Sequence, residues 1–169
     1  MIDNANQDVR AEAHITAFAS DATGGSAVAD LSRAYPMTKA TFRGISLRDG
    51  KCVLVEDQVR ADKPVDVRWW MITRAKVKTD GTNAVLEQKE KLLYARILSP
   101  SGAVFQTLGA NPPPPQHQQL DATKLIVKLT AKVTDLTLVV TLSTDKDSLQ
   151  QPFQPLTEWP GQITEKRTP

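Results

Sequence analysis

Leu136, Leu138, Val140 and Leu142 alternate with Thr137, Val139 and Thr141, the two-residue period of a strand that buries one face and wets the other. Val53, Val55 and Val59 alternate in the same way with Leu54, Glu56 and Gln58, and Leu125, Val127 and Leu129 give a third example. Thr, Val and Leu dominate these stretches, and such side chains fit a pleated, half-buried surface. The same reading predicts strands at Glu12–Phe18, Ser26–Leu31, Thr41–Leu47, Lys51–Arg60, Val67–Thr73, Lys76–Thr79, Thr82–Gln88, Lys91–Leu98 and Ala103–Leu108. Helical periodicity is almost missing.

Turn chemistry agrees. Asp49-Gly50 separates two of these runs and Asp80-Gly81 two more. Asp-Gly between strands signals a type I′ hairpin, in which both central residues need positive φ. Pro36, Pro64 and Pro100 fall between the predicted strands, as expected if the strands pair on both sides. About ten strands with mainly short connections predict an all-β fold, an antiparallel β-sandwich or layered sheets. The sandwich is placed at 12–144, after a flexible segment 1–11. A stiff Pro-rich loop at Pro112–Gln119 interrupts it. The polar, proline-punctuated tail 145–169 follows, mobile or draped over the surface, with Trp159 as its large anchor.

Composition narrows the function classes. The chain has 169 residues with a single cysteine, Cys52, so a disulfide scaffold is excluded and one ordinary core is expected. No uninterrupted apolar stretch is longer than Trp69–Ile72, which is far too short for a membrane-spanning helix. A formal net charge of +2 gives no nucleic-acid signature. The charge is uneven, however: residues 1–30 carry −4 and residues 31–100 carry +6. The basic middle reads as a solvated surface of mixed sign or, alternatively, as a field that attracts an acidic polysaccharide. The first residues, Met1-Ile2-Asp3-Asn4, lack the basic and apolar parts of a secretory signal. The compartment, bacterial periplasm or cytoplasm, is therefore left open.

No complete set of reacting groups emerges. Cys52 lies on a predicted strand with no local histidine and reads as an inert thiol. His14 and His117 belong to no metal-ligand spacing. Glu56 and Asp57 are adjacent on a strand, so they point to opposite faces and cannot act as a pair. Asp145 and Asp147 lack the spacing and glycine of a calcium loop. No cofactor and no metal are expected. The informative segment is Val67–Thr73: alternation puts Trp69 with Val67 and Met71, and Trp70 with Arg68 and Ile72. Trp69 is assigned inward. Trp70, flanked by Arg68 and Arg74, is then either a surface that packs on a neighbouring layer or domain, or a platform for stacking a sugar.

Several ordered stretches together resemble the C-terminal β-rich region of heparinase II/III-like polysaccharide lyases. They are Ala27–Tyr35 (AVADLSRAY), Phe42–Gly50 (FRGISLRDG), Lys51–Val59 (KCVLVEDQV), Lys63–Met71 (KPVDVRWWM) and Leu93–Ala103 (LYARILSPSGA). The resemblance runs from about Ala13 to Leu142. It implies a longer parent enzyme with an N-terminal α/α toroid, which cleaves uronate-containing polysaccharide such as glycosaminoglycan by β-elimination. The family's catalytic Tyr and His and its zinc site have no matching motif here, so no catalytic residue is carried over. Tyr35 and Tyr94 are not assigned as bases on residue type alone. The resemblance thus implies a non-catalytic supporting domain whose partners are the toroid and, through Trp70, Arg68 and Arg74, acidic polysaccharide. A carbohydrate-binding module and a protein-interaction domain are the alternatives.

Overall fold

The computed structural model describes residues 1–112, 115 and 121–162. Eleven strands occur among them: β1 (His14–Ser20), β2 (Gly25–Asp30), β3 (Ala40–Arg48), β4 (Cys52–Val65), β5 (Trp69–Thr73), β6 (Lys76–Asp80), β7 (Asn83–Gln88), β8 (Lys91–Ser99), β9 (Val104–Gly109), β10 (Thr123–Lys128) and β11 (Val133–Ser143). They form two antiparallel sheets, one of eight strands in the order β1-β2-β3-β4-β11-β8-β7-β6 and one of three in the order β5-β10-β9. The all-β, layered expectation holds. The Pro113, Pro114 and Gln116–Gln119 part of the Pro-rich loop, His117 included, lies outside the described residues.

β4 and β11 form the long central pair of the large sheet, in register from Arg60↔Asp135 to Cys52↔Ser143. Their front-facing residues Val59, Leu136, Leu138 and Val140 meet Leu125, Val127, Trp69 and Phe105 of the small sheet in the main core. Here the structure corrects the half-buried reading of β11. Val139 and Thr141, on the opposite face, are both 0% exposed, because the C-terminal segment covers the back of the sheet. Thr141 is accommodated there by donating its hydroxyl to the Leu149 carbonyl at 2.8 Å. Alternation of Leu with Thr therefore marks two buried faces of different polarity, not one dry and one wet face.

Turns show a second set of differences. Asp49 and Gly50 both take positive φ, as expected. At the β6–β7 hairpin, Asp80 pairs with Asn83, so the central residues are Gly81 and Thr82, and only Gly81 has positive φ. The β7–β8 hairpin turns through Lys89 and Glu90, both at positive φ without any glycine. Tight pairing of Gln88 with Lys91 imposes that conformation. Pro64 is another correction: β4 continues through it to Val65. β11 pairs with that end only at Val133, across an irregularity, so a missing N–H is tolerated.

The first residues and the described part of the C-terminal segment pack against the sheets. Ile2, ahead of the sandwich in the sequence reading, is 2% exposed and bridges to Val67. The tail, as far as Gln162, is draped over the back of β1–β4 and anchored by Trp159. With Leu156 it joins Ala17, Val28, Leu54 and Val139 in a second apolar cluster. Gly44 on β3 makes this possible: a Cβ there would lie 2.4 Å from Leu156 Cδ2 and 2.8 Å from Trp159 Cη2. Gly44→Ala is therefore expected to push the anchor outward and cost about 1–3 kcal/mol. That lowers the melting temperature by roughly 3–10 °C in calorimetry; an unchanged melting temperature contradicts the packing described.

Candidate functional site

The outer face of the small sheet carries the residues singled out in Val67–Thr73. Strand alternation sends Trp69 inward, at 7% exposure, and turns Arg68, Trp70, Ile72 and Arg74 outward. β10 is the middle strand, so Ile126 lies between Trp70 and Gln106, and Lys124 between Ile72 and Leu108. Lys124 is thus the diagonal neighbour of Trp70, and its Nζ sits 4.8 Å from the ring centroid. A cation over an indole face is held by the ring quadrupole, worth about 0.5–1 kcal/mol at such a site.

These side chains border a concavity of about 610 Å³ lined by Asp66, Arg68, Trp70, Gln106, Lys124 and Lys128, among others, within the size range of small-ligand sites. Arg68 donates from Nε and Nη2 to Asp66 Oδ2 at 3.1 and 2.8 Å, so its charge is largely answered. Lys128 is exposed and has no ion-pair partner among the described residues. Arg74 pairs with Asp121 at 3.1 Å and is not part of the lining. Of the three sequence-predicted residues, the structure brings Trp70 and Arg68 together and leaves Arg74 aside. Lys124 and Lys128 were missed, although the inward alternation of Leu125, Val127 and Leu129 already implied a complementary outward row of Lys124, Ile126 and Lys128.

A second cluster gathers Tyr35, Arg43 and Asp57 on the front of the large sheet. Arg43 donates to Asp57 through Nε at 2.6 Å and Nη2 at 2.7 Å, a bidentate, charge-assisted pair. The hydrogen bond to Asp57 raises the Arg43 pKa further, so its charge is permanent. Burial pushes the Tyr35 phenol up, away from the phenolate that a proton-abstracting tyrosine needs. The adjoining cavity is about 30 Å³, space for about one water and not for a sugar ring. The Arg43–Asp57 pair ties β3 to β4 across their shared front face.

The other candidates stay apart. His14 begins β1 opposite Asp30. Tyr94 lies on β8 across from Val85 and Ser143. Cys52 is buried, and that burial raises its thiol pKa, which suppresses the nucleophilic thiolate. Asp145 accepts the Asp147 backbone N–H and the Ser148 hydroxyl; these bonds lower its pKa and shape a turn. Among the described residues no three His, Cys, Asp or Glu side chains come close enough to hold a metal. Glu56 and Asp57 do face opposite sides, as alternation requires: Asp57 pairs with Arg43 on the front, and Glu56 is 0% exposed on the back.

One surface was not visible in the sequence. A register shift between Ile15 and Ala17 is a bulge that puts Ile15 and Phe18 on the same side of β1. With Ile45 and Leu47 of β3 they form an apolar patch, Phe18 being 60% exposed. The patch continues the front face of the large sheet beyond the reach of the small one.

Fold and surfaces together define an all-β, two-sheet antiparallel domain with a cationic, tryptophan-bearing concavity. No protein-family model and no curated protein matches the chain. Solved structures do. The chain is similar to a heparan sulfate lyase, HepC from Pedobacter heparinus, with a TM-score of 0.68 at 13% identity over 85% of this chain and 23% of that one. It is similar to the heparinase III BT4657 gene product, with a TM-score of 0.66 at 11% identity over the same shares. A further heparinase III structure matches with a TM-score of 0.54 at 8% identity over 78% of this chain and 21% of that one. The shared property is the fold, and the chain spans less than a quarter of the length of the structures it matches.

Proposed function

We propose that this chain is a non-catalytic β-domain of a heparinase II/III-like polysaccharide lyase, supporting the catalytic toroid of a parent that cleaves acidic, uronate-containing polysaccharide by β-elimination. The observation that carries the reading is the fold, shared over 85% of this chain with under a quarter of a heparan sulfate lyase. Support also comes from the Tyr35 cluster, whose cavity of about 30 Å³ admits no sugar. Mixed with heparin-like or alginate-like chains, the isolated protein should generate no unsaturated uronate. Sustained growth of that product's ultraviolet absorbance, proportional to protein concentration, refutes the non-catalytic assignment.

The toroid is assigned to the open apolar patch of Ile15, Phe18, Ile45 and Leu47. Apolar patches left bare on a folded domain mark places where another surface docks. Phe18→Asp and Ile45→Asp should each change the stability of the isolated chain by no more than about 0.5 kcal/mol, as expected of exposed positions. The same variants should abolish its association with the parent's toroid supplied in trans, measured by sedimentation. Association at wild-type strength moves the interface elsewhere, and self-association of the isolated wild-type chain favours a protein-interaction domain instead.

A second reading, a carbohydrate-binding surface for acidic polysaccharide, is favoured by the cation–π pair of Lys124 and Trp70 beside Lys128. The indole offers a stacking face, and the lysines offer charge for a carboxylate or sulfate. In titration calorimetry, Trp70→Ala and Lys124→Ala should each weaken binding of an acidic oligosaccharide by roughly tenfold, in line with loss of 1–2 kcal/mol. Arg74→Ala should have little effect, because Asp121 already holds it. Absence of saturable heat at millimolar sugar removes this reading.

A further inference from the structure

The back of the large sheet contains an ionisable group that neither reading uses. Glu56 sits in the middle of β4, opposite Gly44 of β3 and Val139 of β11, and is 0% exposed. Its Oε1 accepts from Gln58 Nε2 at 2.9 Å. Its Oε2 is buried with no hydrogen-bond partner. Leu156 and Trp159 lie over Gly44, its cross-strand neighbour, and form part of the cover on this face.

The surroundings offer little compensation for a negative charge. On β3 the nearest cation is Arg48, committed to Ser46 Oγ and to the Pro152 carbonyl. On β4 itself, Asp57 points to the other face and is paired with Arg43, and Arg60 pairs with Asp135. β11 presents the non-ionisable Thr137, Val139 and Thr141 to this face, with Asp135 further along, held by Arg60. β2 contributes Val28, with Asp30 bound to Ser32. The covering turn Leu156–Glu158 brings only the exposed Glu158. A neutral acid is tolerated in such a place far better than a carboxylate.

We propose that Glu56 makes residues 155–162 a proton-dependent strap, seated while Glu56 holds its proton and released when it ionises, baring a groove floored by Ala17, Val28, Phe42, Leu54 and Val139. The strap is the part free to yield. β3, β4 and β11 are held by long ladders, whereas among the described residues the strap meets the sheet through one bridge, Gln162 to Ala17, which contains the Phe18 N–H to Gly161 carbonyl bond of 3.0 Å, and through its side-chain packing. Segments with few backbone bonds open before the sheets do. Burial is the main cause that raises the Glu56 pKa, with the Gln58 hydrogen bond and Arg48 acting against it. A folded-state value above the unfolded one means that the closed form is fully favoured below the ordinary glutamate range. That advantage is lost as pH rises through the raised value.

The test is a nuclear magnetic resonance titration of the full chain from about pH 4 to about pH 9, a span that brackets ordinary and raised carboxyl values. It follows the Glu56 side-chain carboxyl and the Trp159 indole N–H, the latter assigned through Trp159→Phe. Glu56 should titrate above other glutamates, and the indole should leave its buried position at the same midpoint. Amide exchange in 155–162, corrected for its intrinsic pH dependence, should rise at least roughly tenfold there. Glu56→Gln should keep the strap seated throughout. The comparison of the two wild-type midpoints stands even if that variant folds poorly. An ordinary Glu56 midpoint, a seated strap across the whole range, or release at an unchanged midpoint in Glu56→Gln overturns the proposal.

Discussion

The pairing of β4 with β11 is the constraint on which the rest of the molecule depends. Both strands carry side chains that leave water on each face, so the pair needs a cover in front and another behind. The three-stranded sheet supplies the first through Leu125, Val127 and Phe105, and Leu156 with Trp159 supplies part of the second. Neither cover is as wide as the eight-stranded sheet. Left exposed on the front are Ile45 and Leu47 of β3 and, on β1, Ile15 and Phe18, which a bulge gathers on one side. An incomplete enclosure of this kind suits a unit that finishes its burial against another body.

Two adjacent carboxylates illustrate how a single step along a strand decides chemistry. Asp57 faces front and finds a bidentate guanidinium; Glu56 faces back and finds one amide. Residue type is nearly the same, and the difference lies in what β3 places opposite each: Arg43 in one case, Gly44 in the other. The same logic governs the small sheet, where the register across β10 puts Lys124 diagonal to Trp70 and leaves Arg74 beyond the concavity.

Much of this was legible in the chain. Period-two alternation located the strands, the Asp-Gly turn after β3 was read in full, and Trp69 and Trp70 were assigned to the right faces. Trp159 stood out as the tail's anchor because nothing else there is large and aromatic. The misses have one physical origin: alternation describes a strand, not its neighbours. It could not show that Thr141 is covered from behind, that β10 divides β5 from β9, or that Lys89 and Glu90, left between the predicted strands, both take positive φ. Pro64 was read as a break because a proline forfeits a donor, yet at that end of β4 the ladder is already irregular. The bulge in β1 erased the alternation that would have revealed Phe18 as a surface residue.

β1 is an outer margin of the large sheet, and such a margin offers unpaired amides to any extended chain that drifts past. Here the Phe18 amide is already answered by the Gly161 carbonyl, and Ala17 is bridged by Gln162. The last described residues therefore act as a short false strand that blunts the margin. Gly161 is suited to this, since its φ is +73° and any Cβ would collide with the Phe18 carbonyl oxygen. A chain shortened ahead of Gly161 would keep its fold-defining ladders but present a raw flank, and its vulnerability would be polymerisation before unfolding.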